Sequence, residues 1–148
     1  MAVSFRKAGA SDAAALRAIA REAYAHYVPR MGREPAPMTA DYEALVADGF
    51  VTAAVEDGSI LGFLVTYPRD GVLFVENVAV GIRGRGLGRA LMEEAERLAR
   101  GSGLTALELY TNEKMTENLD WYPRLGFLET DRRIEDGYAR VYFLKPLV

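Results

Sequence analysis

The residues best suited to chemistry lie in a glycine-rich stretch, Gly84-Arg85-Gly86-Leu87-Gly88, between a β-rich and a helical segment. Glycine weakens both helices and strands, so this concentration of glycine needs a reason. A strand that ends in such a turn and opens a helix gathers free backbone N–H groups, which form an anion site suited to phosphate. Arg83, Arg85 and Arg89 add positive charge. The alternative is a glycine-rich connection that binds nothing.

Two common phosphate-binding motifs do not match this stretch. The Walker pattern needs a Lys-Ser or Lys-Thr pair after the glycines, and neither pair follows. The dinucleotide fingerprint G-x-G-x-x-G also fails, because Arg89 stands at its third glycine position when it is read from Gly84. Glu108 does lie about 20 residues on, where a ribose-binding acid would belong. An antiparallel meander precedes the stretch, however, so an NAD-dependent oxidoreductase is a weak alternative.

The elements that must position these residues predict a single α+β domain over residues 1–148. Periodicity and turn residues predict a strand (3–8), a helix (11–27), a loop (28–38), a short helix (39–49), three strands (50–56, 59–67, 72–80), a helix after Gly86 that ends at Gly101, a strand (105–111), a short helix (116–126) and two final strands (127–134, 138–145).

Local residue types predict where several of these elements begin and turn. Ser11 or Asp12 is expected to cap the first helix, and Thr39 the second. Asp57-Gly58 predicts a tight hairpin. A helix connects the strand 72–80 to the next strand, so these two strands should be parallel neighbours.

Composition narrows the classes of function. The chain has 148 residues, 50% apolar and 26% charged, which is typical of a globular domain with a sizeable core. Its net charge of −3 argues against nucleic acid as a partner. Because cysteine is absent and His26 is the single histidine, no metal is expected. No apolar run approaches the roughly 20 residues of a membrane span, and the N-terminus lacks the apolar core of a signal peptide, so a cytoplasmic protein without a membrane partner is expected.

Three motifs together carry a resemblance to a known family. Arg83–Gly88 follows the pattern Arg/Gln-x-x-Gly-x-Gly/Ala, with "ENVAV" before it and "NLDWYPRLGF" after it. These motifs closely resemble the acyl-CoA-binding core of the GNAT superfamily of acetyl-CoA-dependent N-acetyltransferases. The resemblance implies a mixed sheet in the order strand, two helices, three antiparallel strands, helix, strand, helix, two strands. It also implies a splayed central parallel strand pair and acetyl-CoA as the cosubstrate.

One departure from the family's pattern lies in the turn itself. Only Gly81 and Ile82 separate Val80 from Arg83, whereas family members usually have about four residues there, and the usual proline is missing. The turn must be tighter, which leaves open which backbone amides touch the pyrophosphate.

By resemblance, the cofactor-binding residues can be named. The N–H of Val78 should meet the thioester oxygen, and Val80 should pair with the pantetheine arm. Asn118 should hydrogen-bond that arm, or else cap its own helix. The pyrophosphate should be held by the turn, whose residues are Arg83, Gly84, Arg85, Gly86, Leu87 and Gly88.

Two catalytic residues follow from the same resemblance. Tyr122 stands in "WYPRLGF", where the family usually has the tyrosine that protonates the departing thiolate. Its alternative role is to pack the helix onto the sheet. Glu76 in the central strand is the preferred general base, and its alternative role is a structural pair with an arginine. With Glu76 to deprotonate the amine and Tyr122 to protonate the thiolate, no covalent acyl-enzyme is needed.

The acceptor is expected to be a primary amine on a small molecule or a peptide. Its pocket should include the segment between the first two helices, which carries Tyr27, Arg30, Arg33 and Glu34. The sequence leaves open the identity of the amine, the length of the acyl chain and whether the chain forms a homodimer. The other reading is a non-catalytic acyl-CoA-binding or regulatory domain on the same fold.

Overall fold

A computed structural model describes residues 2–148 as a mixed sheet flanked by helices. The strands are β1 (Ser4–Lys7), β2 (Val51–Glu56), β3 (Ser59–Arg69), β4 (Val72–Val80), β5 (Ala106–Asn112), β6 (Leu128–Glu135) and β7 (Tyr138–Pro146). The helices are α1 (Ala13–Tyr24), α2 (Val28–Met31), α3 (Tyr42–Ala47), α4 (Leu87–Gly101) and α5 (Thr116–Arg124). No helix in this range is both long and apolar enough to cross a membrane.

Within residues 2–148 the strands form one seven-stranded sheet in the order β1-β2-β3-β4-β5-β7-β6. A parallel ladder joins Leu73–Val75 of β4 to Leu107–Leu109 of β5. The β1–β2, β2–β3, β5–β7 and β6–β7 pairs are antiparallel. The predicted α+β fold and its central parallel strand pair are therefore confirmed. The splay of that pair beyond the ladder stays an expectation.

The chain divides into two compact units. The first runs to Thr66 and resumes over Asn77–Glu94, and the second comprises Tyr67–Glu76 and Ala95–Val148. The prediction of a single domain over the whole chain stays a prediction.

The first unit has a core built by α1, α3 and the strands. Leu16 of α1, Tyr42 of α3 and Phe63 of β3 are fully buried. The rings of Tyr42 and Phe63 meet edge to face, with centroids 5.5 Å apart. Burying a large apolar side chain contributes about 1.5–3 kcal/mol to folding, so this cluster holds the two helices on the strands.

In the second unit, the side chains of β5 and β7 alternate between the two faces of the sheet. Leu107, Leu109 and Phe143 are buried. The ring of Tyr122 in α5 packs 5.8 Å from that of Phe143, so α5 covers the face that carries Phe143. The alternate residues of β5 and β7, among them Tyr110, point to the opposite face, as strand geometry requires.

The hairpin after β2 is a tight two-residue turn, as predicted. Asp57 and Gly58 both have a positive φ, 51° and 77°, which a type I′ turn requires at both central positions. Asp-Gly pairs with the same backbone conformation also follow Arg69 and Glu135. Three of the connections between consecutive strands thus use one kind of turn.

The predicted loop over 28–38 is partly helical, which corrects that prediction. Residues Val28–Met31 form one α-helical turn, and Ala36–Met38 form a short 3₁₀ turn. Pro29 favours the helical turn because its fixed φ suits the first helical positions, where an N–H has no partner within the helix. Gly32, with φ of 72°, ends it.

The expected helix caps are also corrected. The helix α3 begins at Tyr42, and its cap is Asp41, whose side chain accepts a hydrogen bond from the Ala44 N–H at 3.0 Å. Thr39 instead lies at the end of the preceding 3₁₀ turn, where its Oγ1 donates to the Ala36 carbonyl. Asp12 precedes α1 but accepts from the Gly9 N–H and caps no amide of α1.

Candidate functional site

The glycine turn of the first unit presents an open backbone surface. Gly84 and Gly86 have positive φ values of 77° and 73°, and open space surrounds the position that a Cβ would take at each. The first hydrogen bond of the helix runs from the Ala90 N–H to the Gly86 carbonyl. The N–H groups at the start of α4 therefore have no acceptor within the helix. Such a turn fits a phosphate, which needs both close approach and several N–H donors.

The arginines of this turn differ in their surroundings. Arg85 forms an ion pair with Glu56 at the end of β2, with its Nη2 2.8 Å from Oε2 and 3.1 Å from Oε1. This contact holds the pKa of Glu56 below its usual range. Arg83 and Arg89 are exposed. The ion pair ties the turn to β2, and a phosphate would compete with Glu56 for Arg85.

A buried polar network lies beside the turn's strand in the first unit, and the sequence analysis missed it. Asn77 of β4 is 5% exposed, and its Nδ2 donates to Tyr42 Oη at 3.0 Å. Tyr24 Oη lies 2.7 Å from Asn77 Oδ1 and 3.0 Å from the Val78 carbonyl oxygen. Tyr42 Oη in turn donates to the Pro37 carbonyl at 2.6 Å.

This network fixes the backbone at Val78, whose N–H is the predicted thioester contact. A polar Asn inside an apolar strand was the available sequence signal, because a buried amide needs partners. Val80, the other predicted contact on β4, is partly exposed at the end of the strand.

Glu76 belongs to the second unit and is held by a phenol. Tyr67 of β3 donates from Oη to Glu76 Oε1 at 3.0 Å, and Glu76 is partly buried. Burial, then the Glu76 charge, raises the pKa of Tyr67, so this phenol keeps its proton. In the described chain Glu76 has this phenol and no arginine as its partner. The carboxylate is thus oriented by a neutral donor and keeps its second oxygen for another group.

Tyr122 and Asn118 lie one helical turn apart on α5 in the second unit. The Tyr122 ring is buried, with centroids 5.6 Å from Phe127 and 5.8 Å from Phe143. Pro123 lies in the last turn of α5, and the helix ends one residue later, at Arg124. A proline favours such an end, because it has no N–H for the helical hydrogen bonds. Asn118 Nδ2 donates to Thr111 Oγ1 at 3.1 Å rather than capping its own helix.

The segment predicted to line the amine pocket is ordered by ring contacts in the first unit. Tyr27 is buried, with the His26 ring centroid 3.9 Å away and the Arg30 guanidinium 5.3 Å from its ring centroid. Glu34 lies 3.5 Å from Arg21 of α1, and Arg33 is exposed. The placement of these residues in a substrate pocket stays a prediction.

The predicted site residues thus divide between the units. The first unit holds the glycine turn, Val78 and Val80, and the second holds Glu76, Asn118 and Tyr122. The roles of these residues stay predictions, and each unit's own contacts are compatible with them.

Comparison with known proteins identifies the family. The acetyltransferase (GNAT) family matches residues 14–127, which is most of the chain. The chain therefore belongs to the GNAT family of acetyltransferases. The fold agrees, because a PaiA N-acetyltransferase from Thermoplasma acidophilum, solved in complex with coenzyme A, superposes with a TM-score of 0.80 over 99% of both chains at 17% identity.

Two curated relatives are similar in sequence. A mycothiol acetyltransferase of Pseudarthrobacter chlorophenolicus is 32% identical over 136 residues, which cover 85% of this chain and 42% of that protein. The chain thus spans less than half the length of that relative. A peptidyl-lysine N-acetyltransferase, YjaB, of Salmonella typhimurium is 30% identical over 115 residues, covering 74% of each.

Proposed function

We propose that this chain is an acetyl-CoA-dependent N-acetyltransferase that moves an acetyl group to a primary amine by direct transfer in a ternary complex. The observation that carries the proposal is the open glycine turn at the head of α4 in a member of this family. Phosphate groups of CoA would bind the N–H groups there, and the thioester would supply the acetyl group. One relative is named a mycothiol acetyltransferase and the other a peptidyl-lysine N-acetyltransferase, so their names leave the acceptor of this chain open.

The proposed chemistry uses one proton acceptor and one proton donor. Glu76 takes the proton from the amine, whose nitrogen forms a bond to the acetyl carbon as the carbon–sulfur bond breaks. Tyr122 gives its proton to the departing sulfur. The hydrogen bond from Tyr67 supports this role of Glu76, because it orients the carboxylate without neutralising it.

Acetyl-CoA is expected to raise the melting temperature of the chain, whereas NAD at the same concentration is expected to leave it unchanged. A ligand at a hundredfold excess over its Kd contributes about 2.7 kcal/mol of stability, which is a shift of several degrees. Gly86→Asp should lose most of this shift, because a carboxylate would stand where the phosphate belongs. Differential scanning fluorimetry measures all of these shifts.

The matched control is Gly86→Asn. Asn and Asp have the same shape and both tolerate the left-handed backbone better than other non-glycine residues, so the two variants differ in charge. Gly86→Asn should bind acetyl-CoA about tenfold more tightly than Gly86→Asp, as expected for one repulsive charge near the surface. Equal binding by both, or equal stabilisation by acetyl-CoA and NAD, would contradict the assignment of the turn.

A further inference from the structure

Four aromatic rings line one face of the sheet in the second unit. They come from four strands, with centroid distances of 5.6 Å for Tyr67–Phe74, 5.6 Å for Phe74–Tyr110 and 5.5 Å for Tyr110–Tyr142. Tyr110 and Tyr142 are also direct cross-strand partners, which places their side chains on the same face. We call these four rings the aromatic floor.

Three arginines stack on this floor, and one of them differs from the others. The guanidinium carbons lie 4.5 Å (Arg69 over Phe74), 4.2 Å (Arg140 over Tyr110) and 4.3 Å (Arg133 over Tyr142) from the ring centroids. Arg140 and Arg133 also form ion pairs with carboxylates, at 3.5 Å to Glu135 and 2.7 Å to Asp131. In residues 2–148 Arg69 has no carboxylate partner, although it is partly buried.

The charges of Arg69 and Glu76 act on the same phenols. Burial raises the pKa of Tyr67, Glu76 raises it further, and Arg69 acts in the opposite direction. Burial likewise raises the pKa of Tyr110, where Glu76 and Arg69 again have opposite effects. Arg69, whose side chain hydrogen-bonds Tyr142 and, among the described residues, no carboxylate, and the proposed base therefore face one patch of the floor.

The spacing between the two charges limits what could bridge them. Phe74 and Glu76 are two residues apart on the same face of β4, which is about 7 Å along a strand. The Arg69 guanidinium carbon lies 4.5 Å from the centre of the Phe74 ring, so Arg69 and Glu76 belong to neighbouring positions of one strand face. A molecule that donates from an amine to Glu76 and accepts from Arg69 must carry its two groups only a few bonds apart.

We propose that the acceptor is an amine with a carboxylate a few bonds from its nitrogen, as in a free α-amino acid, and that Arg69 binds this carboxylate. This inference rests on the proposed function, because it assigns the amine to Glu76. Arg69 suits the task because a guanidinium binds a carboxylate through two parallel hydrogen bonds. The aromatic floor, whose neighbouring rings are tilted by 34–52°, would border the remainder of the acceptor. Arg69 is then a specificity-determining residue of the acetyl transfer.

The test compares acceptors that differ only in the carboxylate. Initial rates of CoA release are measured with free α-amino acids, with the matching α-carboxamides and with simple alkylamines. The free acids should have a kcat/KM about tenfold or more above that of their carboxamides, the size expected for a charge-assisted bidentate pair. Arg69→Gln should remove this preference through a higher KM for the acids, with a much smaller effect on the alkylamines, which carry no carboxylate.

Arg132→Gln is the matched control. Arg132 is exposed on β6, pairs with Glu129 and alternates with Arg133, so its side chain points away from the aromatic floor. The variant has the same change in net charge as Arg69→Gln and should keep the preference for the acids. Melting temperatures of both variants show whether either has lost its fold.

The outcomes distinguish a failure of the Arg69 assignment from a failure of the proposed function. Equal rates on acids and carboxamides, faster rates on the carboxamides, or a preference that survives Arg69→Gln would overturn the inference. Acetylation of alkylamines in the same assay would show that the proposed function still stands. If no amine of any class is acetylated although acetyl-CoA binds, the proposed function fails, and the assignment of Arg69 fails with it.

Discussion

Replacing Tyr122 with phenylalanine is expected to lower kcat about a hundredfold while the affinity for acetyl-CoA changes little. General-acid catalysis typically contributes 10²- to 10⁴-fold, and a thiolate is a fairly good leaving group, which favours the lower end. A hundredfold loss corresponds to about 3 kcal/mol of barrier. Stopped or continuous assays of CoA release measure kcat, and titration calorimetry measures the affinity.

The structure explains why this substitution should spare the fold. The Tyr122 ring packs against Phe127 and Phe143, and phenylalanine keeps those contacts. The Tyr122 carbonyl accepts from the Leu125 and Phe127 N–H groups, which the substitution leaves in place. The backbone at the end of α5 therefore does not depend on the hydroxyl.

Two comparisons sharpen the Tyr122 result. Tyr138→Phe removes a hydroxyl from the start of β7 and should leave kcat close to that of the parent. An acyl-CoA analogue with a better leaving thiol should partly rescue Tyr122→Phe, because its sulfur needs less help to depart. An unchanged kcat, or a loss that appears wholly as weaker CoA binding or a lower melting temperature, would make Tyr122 a packing residue.

Replacing Glu76 with glutamine is expected to slow the reaction about a hundredfold near pH 7, with a smaller loss as the pH rises. A primary amine with a reference pKa of about 10 is almost wholly protonated near pH 7, so a base contributes most there. At higher pH the free amine forms without help. The measurement is the ratio of parent to variant kcat/KM across this range.

The contacts of Glu76 make glutamine a conservative change. Its side-chain oxygen can still accept the hydrogen bond from Tyr67 Oη, which the raised pKa keeps protonated over the assay range. Glu108→Gln is the matched control, because Glu108 lies beside Phe74 on the neighbouring strand and should leave the pH profile unchanged. A ratio for Glu76→Gln that stays constant with pH would assign Glu76 to binding or structure.

Much of the fold could be predicted because local residues decide it. Asp57-Gly58 specifies its turn through its own backbone preferences, and the helix between β4 and β5 requires those strands to run parallel. Helix beginnings are harder to predict, because several residues compete to cap them. Thr39 and Asp41 are both good caps, and the 3₁₀ turn before Thr39 decides in favour of Asp41.

The candidate site was predicted less completely, because its contacts depend on which strands pair and how far their side chains reach. Glu76 and Tyr122 could be named from motifs. The Tyr67 phenol that holds Glu76 comes from the neighbouring strand, and the Asn77 amide is bound by tyrosines from two helices. Arg69 carries no local pattern at all, and its position over Phe74 emerges only in the folded chain.

The most direct test of the account is a product measurement with the purified chain, acetyl-CoA and a library of primary amines. Mass spectrometry should find at least one N-acetylated amine in an amount equal to the CoA released, and only when chain, acetyl-CoA and amine are all present. The protein itself should carry no acetyl group, because the transfer is direct. Acetyl-CoA that binds without any amine being acetylated would instead indicate a non-catalytic acyl-CoA-binding domain, and an acetylated protein intermediate would contradict direct transfer.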